Sequence, residues 1–362
     1  HLLSRRQRQM CIRDRQGEVQ GSDVAAHSAG VLDIKTTILP DADALFLTAI
    51  DRYGHELWRW TFPVNKLNQA NEVLSPLSNK VTSTETENEL TVKAKNHTFI
   101  FSKKDGQLKG VSVNNRKISF ANGPRFIGAR RADRSLDQFY NHDDEKAKEK
   151  DRTYSEFPDA AVFTKLDVKE DGGNLIVTAN YKLGNLDKAQ WTINPSGEAV
   201  LDYTYNFSGV VDLMGICFDY PEDQVISKRW LGAGPYRVWQ NRIHGTQYDV
   251  WENDYNDPIP GETFTYPEFK GYFGSVSWMN IRTKEGTISL TNETPDAYIG
   301  VYQPRDGRDR LLYTLPESGI SVLNVIPPVR NKVNSTDLCG PSSQPKWVNG
   351  PQSGRIIFRF ME

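Results

Sequence analysis

The chain has 362 residues, 44 of them Lys or Arg and 46 Asp or Glu, so its formal charge of −2 selects neither nucleic acid nor an anionic membrane surface as a partner. Its 38% hydrophobic and 11% aromatic content is that of a globular β-rich chain and excludes general disorder. No apolar run approaches the roughly 18 residues a membrane-spanning helix needs.

Residues 1–20 read as a non-native or disordered leader. Positions 1–16 carry five arginines but lack the apolar run and small-residue cleavage site of a signal peptide. Met10-Cys11-Ile12-Arg13-Asp14-Arg15 resembles a translated sequencing adapter, so the chain is expected to be a fragment. The three cysteines, Cys11, Cys217 and Cys339, have no short spacing and read as isolated thiols, with no metal site or redox pair. They do not decide the compartment; a periplasmic or secreted bacterial location is a guess that no residue carries.

From residue 21 to 64 the pattern is that of the end of an immunoglobulin-like sandwich. Strands are predicted at Val31–Leu39 and Ala44–Ile50, with a third where Trp58, Trp60 and Phe62 alternate with Arg59 and Thr61. Asn65 to Lys80 reads as a linker. Residues 81–362 then read as one large antiparallel β-sandwich. Its strands are expected at 90–94, 97–102, 108–113, 161–168, 175–183, 199–207, 215–220, 275–282, 287–291, 297–303, 320–326 and 355–360. The charged run 143–152 lacks an apolar face and reads as a solvated loop or short surface helix. The fold class is all-β.

Aromatics concentrate in one stretch: residues 230–278 hold four of the eight tryptophans and five of the fifteen tyrosines. Within it, Trp230-Leu-Gly-Ala-Gly-Pro-Tyr-Arg-Val-Trp-Gln-Asn-Arg242 resembles the Trp-x-Gly-x-Gly-Pro-x-x-x-Tyr-x-Asp-Arg segment in the last domain of family 2 β-galactosidases. Further on, Tyr266-Pro-Glu-Phe-Lys-Gly271 stands where that family has Pro-Gln-Glu-x-Gly, and a strand ending on Trp278 follows. Fainter likenesses lie at Phe101 to Pro124 and at Asp337-Leu-Cys-Gly-Pro341. The resemblance covers about residues 85–360 and implies a galactose-mutarotase-like sandwich. Two departures, Arg131 to Asp137 and Leu213-Met-Gly215, mark a divergent branch whose sugar specificity is not carried over.

The resemblance implies that the paired carboxylates of a retaining glycosidase lie on a barrel preceding this chain, so no catalytic residue is assigned here. What these residues can contribute is a pocket wall. Sugar C–H faces stack on aromatic rings, and sugar hydroxyls pair with Arg, His and Glu. The candidate substrate-binding residues are therefore Tyr236, Trp239, Arg242, His244, Trp251 and Glu268, several of them on a loop expected over 243–265. Trp230 and Trp278 are expected in the core, and Trp347 is a minor candidate for an exposed stacking platform. The implied partner is a carbohydrate, a β-galactoside or related plant or host glycan. No nucleic acid, membrane, metal or cofactor is implied, and the full-length enzyme is expected to form a homo-oligomer. Two other readings stay open: a free-standing carbohydrate-binding module, or a mutarotase-type epimerase drawing on His97, His142, His244 and Glu268.

Overall fold

The computed structural model describes residues 16–21, 24–35, 42, 44–64, 80–131, 154–157, 160–255, 271–302, 318–328 and 340–362. The leader up to residue 15, the linker, the 143–152 run, His142 and Glu268 lie outside these residues. The chain divides into two compact units, residues 1–71 and 72–362. The described part of the first is a hairpin of β1 (Ala44–Ile50) and β2 (Glu56–Pro63). Asp51 shapes its turn, its Oδ1 accepting the backbone N–H groups of Tyr53 and His55, each at 2.8 Å. The strand expected at 31–39 is not found in its described part. Residues 31–35 carry no regular structure, and Val31 is 90% exposed.

The second unit begins with β3 (Thr82–Glu85), β4 (Glu89–Ala94), β5 (His97–Ser102), β6 (Leu108–Val113), β7 (Arg116–Ile118), β8 (Ala121–Arg131) and β9 (Tyr154–Glu156). Next come β10 (Val162–Asp171), β11 (Asn174–Lys182), β12 (Leu186–Ile193), β13 (Ala199–Val211) and β14 (Leu213–Asp219). The remainder is β15 (Val225–Gly234), β16 (Gln247–Asp254), β17 (Trp278–Thr283), β18 (Gly286–Asn292), β19 (Tyr298–Val301), β20 (Ile320–Val325) and β21 (Lys346–Met361). Among the described residues there is no α-helix. One sheet runs β10-β11-β12-β13-β21-β18-β17-β15-β16; the other runs β19-β20-β14-β8-β6-β5-β4-β3, with β7 and β9 attached to β6 and β8. The expected large antiparallel sandwich is the fold observed. The long loop expected over 243–265 is corrected in part: residues 247–254 pair with β15 as an edge strand.

Aromatic rings fill the space between the sheets. Phe120, just before β8, stacks on Phe218 of β14 with centroids 4.6 Å apart, and both meet Phe358 of β21, at 5.2 and 5.5 Å. Trp191 of β12 joins from one side and Phe101 of β5 from another. A carboxylate pins the sheets at the rim of this core. Glu285, in the β17–β18 turn, accepts from the Ser119 backbone and hydroxyl at 2.8 Å each and from the Tyr220 hydroxyl at 2.9 Å.

The ten-stranded sheet is covered on its outer face as well. Side chains alternate along a strand, and β14 shows it: Met214, Ile216 and Phe218 join the main core, while Leu213 and Cys217 point the other way. These meet Ile127 and Ala129 of β8, Leu323 of β20 and a layer made of Val238, Trp239, Tyr272 and Ile326. The loop after β15 is therefore a structural cover.

Phe358 touches Phe120, Trp191, Phe218 and Phe360 at once, so Phe358→Ala should destabilise the sandwich by about 3–5 kcal/mol, read as an earlier midpoint in urea unfolding followed by circular dichroism.

Candidate functional site

The two aromatic-rich segments are halves of one substructure. Strand β15 pairs with β17 through Leu231↔Trp278 and Trp230↔Met279, and with β16 through Trp230↔Trp251. Near the end of β15, Ala233 N–H donates to the Gly274 carbonyl at 2.9 Å. Val238 and Tyr272 then exchange both backbone hydrogen bonds, at 2.7 and 2.8 Å. Two glycines permit these approaches. A Cβ on Gly271 would run into the Val238 carbonyl, and one on Gly234 would overlap the indole of Trp251. Pro235 follows Gly234 through a cis peptide bond, and the loop leaves the sheet there.

Trp239 is a correction. It is fully buried, edge-on to Tyr272 at 5.7 Å, inside the outer cluster of the ten-stranded sheet, so it offers no face to a sugar. Its backbone closes a tight turn with Arg242, whose N–H donates to the Trp239 carbonyl at 2.9 Å. Gln240 ties the turn down: its side-chain amide donates to the Ser342 and Gln344 carbonyls at 2.9 and 2.8 Å. The Gly340–Gln344 segment is thus held against this loop. Trp230 and Trp278 lie in the core, as expected.

Two of the other expected residues, Tyr236 and Arg242, are brought into contact. Tyr236 is half-buried, with the Arg242 guanidinium 5.8 Å over its ring and Gly245 against its hydroxyl. His244, between them in sequence, is exposed. Trp251 is half-buried on the edge strand, its ring against Gly234 and its Nε1 donating to the Gln247 carbonyl at 3.2 Å. Because Gly234 pairs with Gln247, this indole stands near the base of the Tyr236–Arg242 loop. An aromatic pair with a guanidinium and an imidazole at a sheet edge is a surface able to stack and hydrogen-bond a sugar. Trp347 is 71% exposed, at the start of β21. His97 sits elsewhere, its Nε2 bonded to the Phe360 carbonyl at 2.8 Å, and burial lowers its pKa.

Burial also gathers groups that were not singled out. Arg237 is 1% exposed: Nη1 donates to the Tyr302 carbonyl at 2.8 Å and the guanidinium lies 4.9 Å over Phe273. Its Nε and Nη2 have no acceptor among the described residues, and burial pulls its pKa down to about 10. Tyr255 donates to Glu222 Oε1 at 2.5 Å; burial, then that carboxylate, push its phenol upward. Lys228, fully buried, lies 5.1 Å from the Tyr255 ring and donates to the Asp254 carbonyl at 3.1 Å. An open concavity of about 440 Å³ is lined by Glu222, Asp223, Val225 and Tyr255. The one cue in the sequence was that Arg237 to Gln240 carry no polar-apolar alternation, as befits a stretch buried throughout.

The family model described as beta galactosidase small chain matches residues 93–326, a span that contains both halves of the motif and every candidate residue above except Trp347. The chain belongs to this family. Membership relates it to carbohydrate enzymes and bears out the β-galactosidase likeness of the region as a whole. A search of the curated proteins returned no match. Among solved structures, a galactose 1-epimerase from Lactobacillus acidophilus NCFM is similar at 10% identity, covering 78% of this chain and 98% of its own, with a TM-score of 0.41. An aldose epimerase homologue from C. elegans is similar at 8% identity over 78% of this chain and 99% of its own, with a TM-score of 0.37. A galactose mutarotase-like protein from Lactobacillus casei ATCC 334 gives 10% identity over 77% and 99%, with a TM-score of 0.32.

For this β-galactosidase small chain relative, Gly234→Ala should dislodge the Trp251 ring and cost about 1–3 kcal/mol, seen as a shift in tryptophan emission together with a lower unfolding midpoint.

Proposed function

We propose that this chain is the C-terminal portion of a β-galactosidase-like glycoside hydrolase of family 2, and that it completes the sugar pocket of that enzyme without performing the bond cleavage. The observation that carries this reading is the family match over residues 93–326, which spans the surface formed by Tyr236, Arg242, His244 and Trp251. In this proposal Trp251 and Tyr236 stack on the sugar ring while Arg242 and His244 donate to its hydroxyls. The two carboxylates of the retaining mechanism, about 5 Å apart, stand on a barrel elsewhere in the enzyme. The substrate is a β-galactoside or a related plant or host glycan.

This wall would act by positioning. Contacts made alike to substrate and transition state change KM, whereas those that tighten as the ring distorts change kcat. Stacking contributes mainly to the first class. In the full-length enzyme, Trp251→Ala should therefore raise KM for a nitrophenyl β-galactoside about tenfold with a smaller change in kcat. The chain by itself should show no hydrolysis of the same substrate, and no acceleration of galactose anomerisation in polarimetry. Anomerisation by the isolated chain would replace the proposal with the epimerase reading. Galactose binding by the chain alone that Trp251→Ala abolishes would replace it with an autonomous binding module.

A further inference from the structure

Arg237 is not used by the sugar-facing surface, yet its chemistry is incomplete. A guanidinium taken out of water loses its hydration and needs an anion or a full set of acceptors in return. Arg237 is 1% exposed and has found part of that set. Nη1 donates to the Tyr302 carbonyl at 2.8 Å, and one flat face lies on Phe273. Among the described residues, Nε and Nη2 have no partner. Those two nitrogens form one edge of the planar fork, the edge that receives a carboxylate side-on through two parallel N–H donors.

A further polar group is buried beside Tyr255. Lys228 is buried beside Tyr255, and the nearby carboxylate of Glu222 already accepts the Tyr255 hydroxyl. Tyr302, which supplies the carbonyl for Nη1, stands at φ 36°, a backbone conformation that is costly for a bulky residue. The structure thus holds the guanidinium in place with its other edge unfilled. Tyr255, which shares an electrostatic environment with Arg237, also lines the concavity at Glu222.

We infer that the Nε–Nη2 edge of Arg237, with Tyr255, Tyr272 and Phe273 around it, is a binding site for a monoanion, either a free halide or the carboxylate of an acidic sugar. Neutral sugar hydroxyls would satisfy the donors but leave the buried charge uncompensated. Either anion answers both needs.

The test uses the whole chain in two measurements. Crystals soaked in sodium bromide are read for anomalous scattering, and melting curves at fixed ionic strength compare galacturonate with galactose. A bromide peak within hydrogen-bonding distance of both Nε and Nη2 supports a free halide as the occupant. A melting-temperature rise of about 2–5 °C with galacturonate, absent with galactose and absent in Arg237→Gln, supports a ligand carboxylate. Water alone at this edge in the bromide crystal, with no galacturonate-dependent shift, overturns the inference, as does an equal shift in Arg237→Gln. If that variant does not fold, the bromide measurement on the unaltered chain decides.

Discussion

The backbone exchange between Val238 and Tyr272 organises everything around it. It fastens the chain leaving β15 to the chain entering β17, and so fixes where the intervening residues can go. With it in place, Trp239 is pressed onto the outer face of β8, β14 and β20, Arg237 is pulled inside, and Tyr236 and Arg242 remain at the surface. The motif spans two separated stretches because neither can adopt its shape alone. Gly271 has to be small so that Val238 can approach, and Gly234 has to be small so that Trp251 can lie down. The glycines and aromatics of the two segments are one packing solution written in two places.

Much of the sandwich was legible because exposed-face alternation survives in strands such as β4, β5 and β11. The missed strands share identifiable causes. In β8 the Gly123-Pro124 step reads as a turn although the ladder continues past it. In β12 a register shift between Leu186 and Lys188 breaks the two-residue period. In β15 both faces are covered and glycines replace side chains, so no alternation remains. The opposite error occurred at residues 31–35, where an apolar pattern carries no regular structure.

The site was legible in kind more than in detail. Composition located the aromatic-rich stretch, within which Tyr236 and Trp251 are half-buried. Trp239 misled because polar residues, Arg237 and Gln240, flank the Val238-Trp239 pair. Its environment is set by β8, β14 and β20, which lie far away in the chain, and no local pattern reports them. Arg237 is placed by distant contacts in the same way. An arginine among tyrosines and tryptophans looks like a surface residue until tertiary contacts show where its head group is enclosed.

Strand β21 has a consequence for how the molecule is made. It stands in the middle of its sheet, joined to β13 along residues 346–358 and to β18 along 356–361. The strands on either side of it are synthesised first, yet they have no contact with each other within the sheet except through it. A ribosome-bound chain would therefore carry two half-sheets with facing edges unpaired, each a template for the wrong partner until residues 346–361 emerge. Folding of this unit is bound to be late and dominated by contacts distant in sequence, and a chaperone that shields strand edges during translation would matter more here than one that shields exposed side chains.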